Sequence, residues 1–215
     1  MFWNIGHPHV IPEPVHSLLD QHQPDILVLA ESEKIPVAAR LGFTPRHPAY
    51  HLYRLSGGML VAVRGTAKMG DTLGLMKKGA AQRITIQLNG RNGTMEVIVA
   101  DLSPMPLVPR TAQTERIRQL AGTGRRTLVI GDFNTPYDSA SFDVWRQAWH
   151  HGLSQAPGSP GAGTWPFGLA LLSIDHVWMS GDLVPVHALK GSQLPFDHSW
   201  QIITIQPYAI RASQP

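Results

Sequence analysis

The run VIGDFNTPYD, residues 129–138, sets two β-branched residues and a glycine before Asp132 and Asn134 and then stops at Pro136. In a strand, residues i and i+2 share a face, so Asp132 and Asn134 are expected side by side at a strand's C-terminal end. The same arrangement recurs along the chain. Asn4 follows an apolar start, Glu31 ends the run PDILVLAE, and Asp101 ends EVIVAD. Asp175 sits in LLSIDHVWM, and Asp197 and His198 sit in LPFDHSWQI. Asp and Asn favour turns, so any one of them is ordinary at a strand end. Five of the chain's 15 acidic residues interrupting or ending hydrophobic runs is a different matter. If Glu31, Asp101, Asp132, Asp175 and Asp197 converge, their repulsion has to be compensated. Hard carboxylate and amide oxygens then point to Mg²⁺ or Mn²⁺ as the cofactor.

Charge supports an anionic substrate. The net charge is +3, and with those five acids set aside 18 basic side chains face 10 acidic ones, a formal +8. The chain has no cysteine, which excludes thiol nucleophiles, cysteine-ligated zinc and disulfides. It also lacks the G-x-S-x-G of a serine hydrolase elbow and the G-x-x-x-x-G-K-[ST] of a P-loop.

These residues need a scaffold of strands. Val, Ile, Leu and Thr-rich segments predict strands at 2–5, 25–29, 51–54, 59–63, 82–88, 95–100, 127–130, 174–179, 184–189 and 200–205. Ten short strands suit two packed sheets better than one open sheet. Helices are expected at 13–21, 34–41, 110–121 and 141–151, the last with an N-cap in Ser139 or Ser141 and a stop at Gly152. The Gly/Pro-dense stretch 154–168 reads as a surface loop with an aromatic tip, because a linker there would strand a tail of about three strands. The 215 residues are therefore taken as a single α/β (α+β) domain, 1–215, expected as a monomer. No run approaches the roughly 18 apolar residues of a transmembrane helix, and the N-terminus lacks signal-peptide features. A soluble chain is expected, cytoplasmic or cut from a longer anchored or exported protein.

The motifs WN at Trp3 and Asn4, PDILVLAE ending at Glu31, GDFNTP around Asp132 and Asn134, IDHVW at Asp175, and DH at Asp197 and His198 together resemble the endonuclease/exonuclease/phosphatase superfamily, the DNase I-like metallohydrolases. The similarity is greatest to its bacterial branch, which tends to share the Pro-rich turn, an R..Q helix like Arg110 and Gln113, and a GTWP loop like residues 163–166. The resemblance implies a four-layer α/β/β/α sandwich of two mixed sheets flanked by helices, with the site at one edge. It implies Glu31 as principal metal ligand, supported by Asn4 and Asp197. It also implies Asp132 orienting the attacking water, Asn134 holding phosphate or water, and His198 on the scissile phosphate with Asp175 on its other ring nitrogen. Phosphoryl transfer asks mainly for positioning and charge neutralisation, which such groups supply. Two positions depart from the family pattern: Phe196 replaces a common serine, and Asp101 stands where many members carry a histidine, so that as a substrate-binding residue it either takes a metal or a sugar hydroxyl or is protonated, or else the phosphate chemistry is impaired.

The remaining candidates have plain alternatives. His7 and His9 lie near the expected cleft and either touch substrate or belong to a solvated loop. Trp165 either stacks on a base or acyl chain or is only a loop residue. His150 and His151 are expected to favour a helix C-terminus, and His176 to pack in the core. Lys77, Lys78, Arg83 and Arg125 contact phosphate or serve solubility. The function expected is divalent-metal-dependent phosphodiester hydrolysis by water, on DNA or RNA or a related phosphate ester. The alternatives are a lipid- or phosphomonoester-directed phosphatase of the same fold, and a non-catalytic anion- or nucleic-acid-binding module.

Overall fold

The computed structural model describes residues 1–208. Along the chain run β1 (Phe2–Asn4), α1 (Glu13–His22), β2 (Ile26–Ala30), α2 (Val37–Leu41), α3 (Phe43–Arg46), β3 (His51–Arg54), β4 (Leu60–Val63), β5 (Gly65–Gly74), β6 (Ala80–Leu88) and β7 (Met95–Asp101). They continue as α4 (Arg110–Ala121), β8 (Thr127–Asp132), α5 (Asp143–Ala148), β9 (Trp149–His151), α6 (Gly152–Gln155), β10 (Asp175–Ser180), β11 (Leu183–Gly191) and β12 (Trp200–Pro207). One six-stranded sheet has the order β11-β12-β1-β2-β4-β3, the other β5-β6-β7-β8-β10-β9.

Alternation along the central strands explains the layers. Phe2, Val28, Val61, Val97, Val99 and Ile130 face between the sheets. Their neighbours Trp3, Leu27 and Leu29 turn outward against Val15 and Leu19 of α1, while Ile98, Ala100 and Val129 turn outward against Ile117 of α4. Strands apolar on both faces must be covered on both, which gives a helix, sheet, sheet, helix stack of two mixed sheets, as expected.

Within each sheet one parallel pair bears on the site. β1 lies parallel to β2 across α1, and β7 lies parallel to β8 across α4. Each pair delivers its C-terminal ends, with Asn4, Ala30, Asp101 and Asp132, to one edge. Gly131 is required there because a Cβ would sit 1.8 Å from the Ala100 carbonyl oxygen across the β7–β8 pair.

Several expectations are corrected. β5 and β9 make twelve strands among the described residues. β5 is polar and glycine-bearing and owes its place to edge pairing with β6. The helix expected at 141–151 is only α5, and residues 149–151 are a strand against β10. Trp149 and His151 are buried there, so cross-strand packing outweighs helical propensity. Gly152 consequently opens α6 instead of stopping a helix, and His150 and His151 are not at a helix C-terminus. Pro36 shortens the helix expected at 34–41 to α2. Ser139 does cap, but a short 3₁₀ turn, accepting from the Ser141 N–H.

Candidate active site

Four connections supply the centre. Asp132, fully buried at the end of β8, accepts from the Asn4 amide at 2.9 Å on one oxygen and from the Asn134 N–H at 2.8 Å on the other. Asp175, fully buried at the start of β10, lies directly across the ladder from Asp132. Its Oδ2 accepts from His198 Nδ1 at 2.8 Å, while its Oδ1 is buried without a hydrogen-bond partner. The imidazole tautomer is thereby set, and His198 Nε2 faces Asp132 Oδ2 at 3.9 Å, too far for a hydrogen bond. Asn4 orients its own amide by accepting from the Gly6 N–H at 3.1 Å.

The electrostatics follow from burial and proximity. Burial, then the Asp175 charge, push the Asp132 carboxyl well above the usual range. Burial opposes a charge on His198, but the charge and hydrogen bond of Asp175, with Asp132 and Asp197 beside them, prevail and raise it to about 9. His198 is therefore a cation at neutral pH, shaped to meet an anion. Asp101, paired in register with Asp132, is pushed up to about 7 by burial and by the charges of Glu31, Glu33 and Asp175. An ionised carboxylate would repel phosphate there, whereas the neutral acid donates a hydrogen bond.

Glu31 follows β2 in the left-handed region, at φ 51°. Its carboxylate lies 3.1 Å from His7 Nε2, and His7 Nδ1 lies 2.6 Å from Glu33. His7 thus joins two acids instead of standing free in a loop. Asn134 does not share a strand face with Asp132: β8 ends at Asp132, and Asn134 turns at φ 47°, its side-chain amide donating to the Leu102 carbonyl at 2.7 Å. Three site residues, His7, Glu31 and Asn134, are held at positive φ without being glycine and mark backbone fixed by its surroundings. Asp197 Oδ2 accepts from the Trp165 indole N–H at 3.1 Å, so Trp165 anchors a loop beside the site. Phe196 packs edge-on against Trp3, ring centroids 4.8 Å apart.

Some supporting residues escaped the sequence reading. Glu33 was passed over because it ends no strand. Thr164 Oγ1 accepts from the Asp175 N–H at 3.2 Å, and its carbonyl accepts from the Ser199 N–H at 2.7 Å, tying Asp175 to the residue after His198. The threonine of GTWP was the available signal. His176 is a core residue as expected, but also a braced one: Nε2 lies 2.8 Å from the Thr135 carbonyl, and Nδ1 lies 2.9 Å from Nε2 of buried His151.

Oxygen donors suit a hard divalent cation. The Asp132 and Asp175 carboxylates offer oxygens within 4.8 Å of one another, and the unpartnered Asp175 oxygen is the kind of orphan a cation satisfies. Glu31 lies outside this tight group, at the lip with His7. A cavity of about 580 Å³ opens elsewhere, at the other end of the sandwich between Ile26, Ile86, Leu128 and Ile203. Its lining, which mixes apolar side chains with Asp25, Arg91, Asn92 and Arg126, carries none of the clustered site residues, so the chemistry is located by the acids.

Fold and centre define a two-sheet sandwich with an acid and histidine cluster at the C-terminal edge of its parallel strands. The chain belongs to the endonuclease/exonuclease/phosphatase family, whose model matches residues 1–200. No curated protein matches the sequence. Solved structures match the fold. TDP2 of D. rerio, in complex with a single-strand DNA product, aligns at a TM-score of 0.70 and 14% identity, covering 95% of this chain and 97% of that one. The human Nocturnin catalytic domain with bound sulfate aligns at 0.69 and 16% identity, covering 96% and 93%. An endonuclease/exonuclease/phosphatase from Bacteroides vulgatus aligns at 0.71 and 13% identity, covering 96% and 97%. Among the described residues no helix is long and apolar enough to cross a membrane.

Proposed function

We propose that the protein is a divalent-metal-dependent phosphodiesterase that hydrolyses a phosphate ester with water. One observation carries this reading: the His198 imidazole, fixed through Nδ1 by Asp175, presents Nε2 toward a buried Asp132 that is itself held by Asn4 and Asn134. His198 Nε2 donates to a phosphate oxygen, Asp132 orients the attacking water, and the Asn134 N–H and the Asn4 amide keep that carboxyl group in place. A Mg²⁺ or Mn²⁺ ion would be held by Glu31 with support from Asn4 and Asp197, and would supply charge neutralisation to the phosphate. The family membership and the DNA-bound neighbour support a phosphodiester substrate of the nucleic-acid kind as well as a related ester.

Alanine at Glu31, Asp132, Asn134 or His198 is expected to lower metal-dependent hydrolysis of bis(p-nitrophenyl) phosphate by about 10²–10⁴-fold. Circular dichroism should stay native, and unchanged rates in all four variants would sink the proposal. Asp101 favours a second reading, a binding module of this fold whose chemistry has been lost. Calorimetric titration with Mn²⁺ separates the two, because a module with no cation site gives no heat.

A further inference from the structure

We propose that the cavity at the far end of the sandwich is a second binding site, and that it takes an aliphatic carboxylic acid with a hydrogen-bond donor at the opposite end of its chain. The site is separate from the acid cluster and goes beyond the phosphoesterase reading. Protein interiors pack to crystal density with few voids larger than a water molecule, so about 580 Å³ between two sheets is no packing fault. That volume falls in the usual range of small-molecule pockets. Its walls are stiff. Ile26, Ile86, Ile130, Val177, Ile203 and Ile205 line it, and β-branched side chains have little freedom at χ1 to swing into the gap.

Two polar features define the ligand. β12 runs from the catalytic edge toward the mouth, which puts Gln201 at the inner end of the cavity and Pro207 at its opening. Gln201 is fully buried, and its amide donates to the Asp175 carbonyl at 3.2 Å, while its Oε1 has no hydrogen-bond partner. A buried acceptor left unpaired is costly, and a hydroxyl brought along the cavity removes that cost. The second feature lies at the mouth. There the exposed side chains of Arg91 and Arg126 face one exposed acid, Asp25, so two guanidiniums against one carboxylate leave a single positive charge. That balance suits a monoanion. Arg126 Nη1 donates to the Asn92 carbonyl at 3.1 Å, which holds its guanidinium over the 91–94 turn, and a carboxylate arriving there gains charge-assisted hydrogen bonds. A sugar or nucleotide fits poorly, because its hydroxyls would be buried among isoleucines without partners. An unbranched chain with one donor ahead and one carboxylate behind matches the walls and both ends.

The test is calorimetric titration of the full chain with laurate and with ω-hydroxylaurate, in EDTA and below the concentrations at which they form micelles. Both should bind, and the hydroxyl should tighten binding by about tenfold. Q201L should erase that gain while laurate still binds. R91Q/R126Q should weaken both acids by about threefold or more. I205W, which fills the mouth, should abolish binding, and the rise in melting temperature that ω-hydroxylaurate gives wild type should be absent from it. If I205W does not fold, R91Q/R126Q, altered only at the surface, still decides the matter. Absence of saturable heat from wild type, equal affinity for the two acids, or unchanged binding in R91Q/R126Q would each overturn the proposal. Hydrolysis of the soluble diester, measured in parallel, should be the same in wild type and R91Q/R126Q. Acid binding by a wild type that shows no metal-dependent hydrolysis would overturn the catalytic reading and leave this one standing.

Discussion

At the scale of single residues, Asp101 is the most informative. Burial and three neighbouring acids raise its carboxyl to about 7 from an unfolded value near 4. The native state therefore binds the proton more tightly, so this group favours folding more as pH falls from about 7 to about 4 and opposes it most above 7. Asp101→Asn is expected to stabilise the metal-free protein at pH 8 by about 2 kcal/mol, with the gain fading toward pH 4. Thermal melts in EDTA across that range check the sign. The acids of the centre were legible in the sequence because each one breaks an apolar run. Their individual contacts were not, since the partners of Asp132 come from positions 4 and 134 and those of Asp175 from 164 and 198. Strand alternation even gave the wrong reason for grouping Asn134 with Asp132: a left-handed turn, not a shared face, brings them together.

At the scale of elements, the turn after β8 is braced from behind. Burial lowers His176 to about 4 against the pull of the Thr135 carbonyl and Asp175, and burial with His176 lowers His151 well below its ordinary value. A depressed histidine takes up its proton in the unfolded chain first, so its stabilisation is full above about 6.5 and is lost as pH falls toward 4. His176 alone accounts for about 3 kcal/mol over that window. Asp101 acts with opposite sign there, so the slope should be read in Asp101→Asn, and adding His176→Gln should flatten it while the side chain still reaches Thr135. The β7–β8 pair is equally exacting: Gly131→Ala should cost about 3 kcal/mol or more and reduce folded yield, because both backbones must move. Sequence patterning found the central strands, whose two-faced apolar character is strong. It missed β9, where three residues with no strand signature of their own are held by Trp178, Met179 and Ser180 opposite.

At the scale of the whole molecule, the two sheets are built differently from the chain. Strands β5 through β10 come from one continuous segment, whereas the other sheet joins the beginning of the chain to its far end, Phe2 pairing with Gln201. Two packed sheets could be inferred from the number of strands. The pairing of ends nearly 200 residues apart could not, because no local pattern encodes a partner at that separation. The centre draws Asp132 and Asp175 from the continuous sheet, and Asn4 and His198 from the other. Until β12 pairs with β1, the first sheet is incomplete and His198, two residues before that strand, is not held over these acids. On the proposed reading, hydrolysis therefore depends on β12 closing the first sheet against β1. Activity regained during refolding should accordingly trail the recovery of strand signal, timing the closure between the sheets.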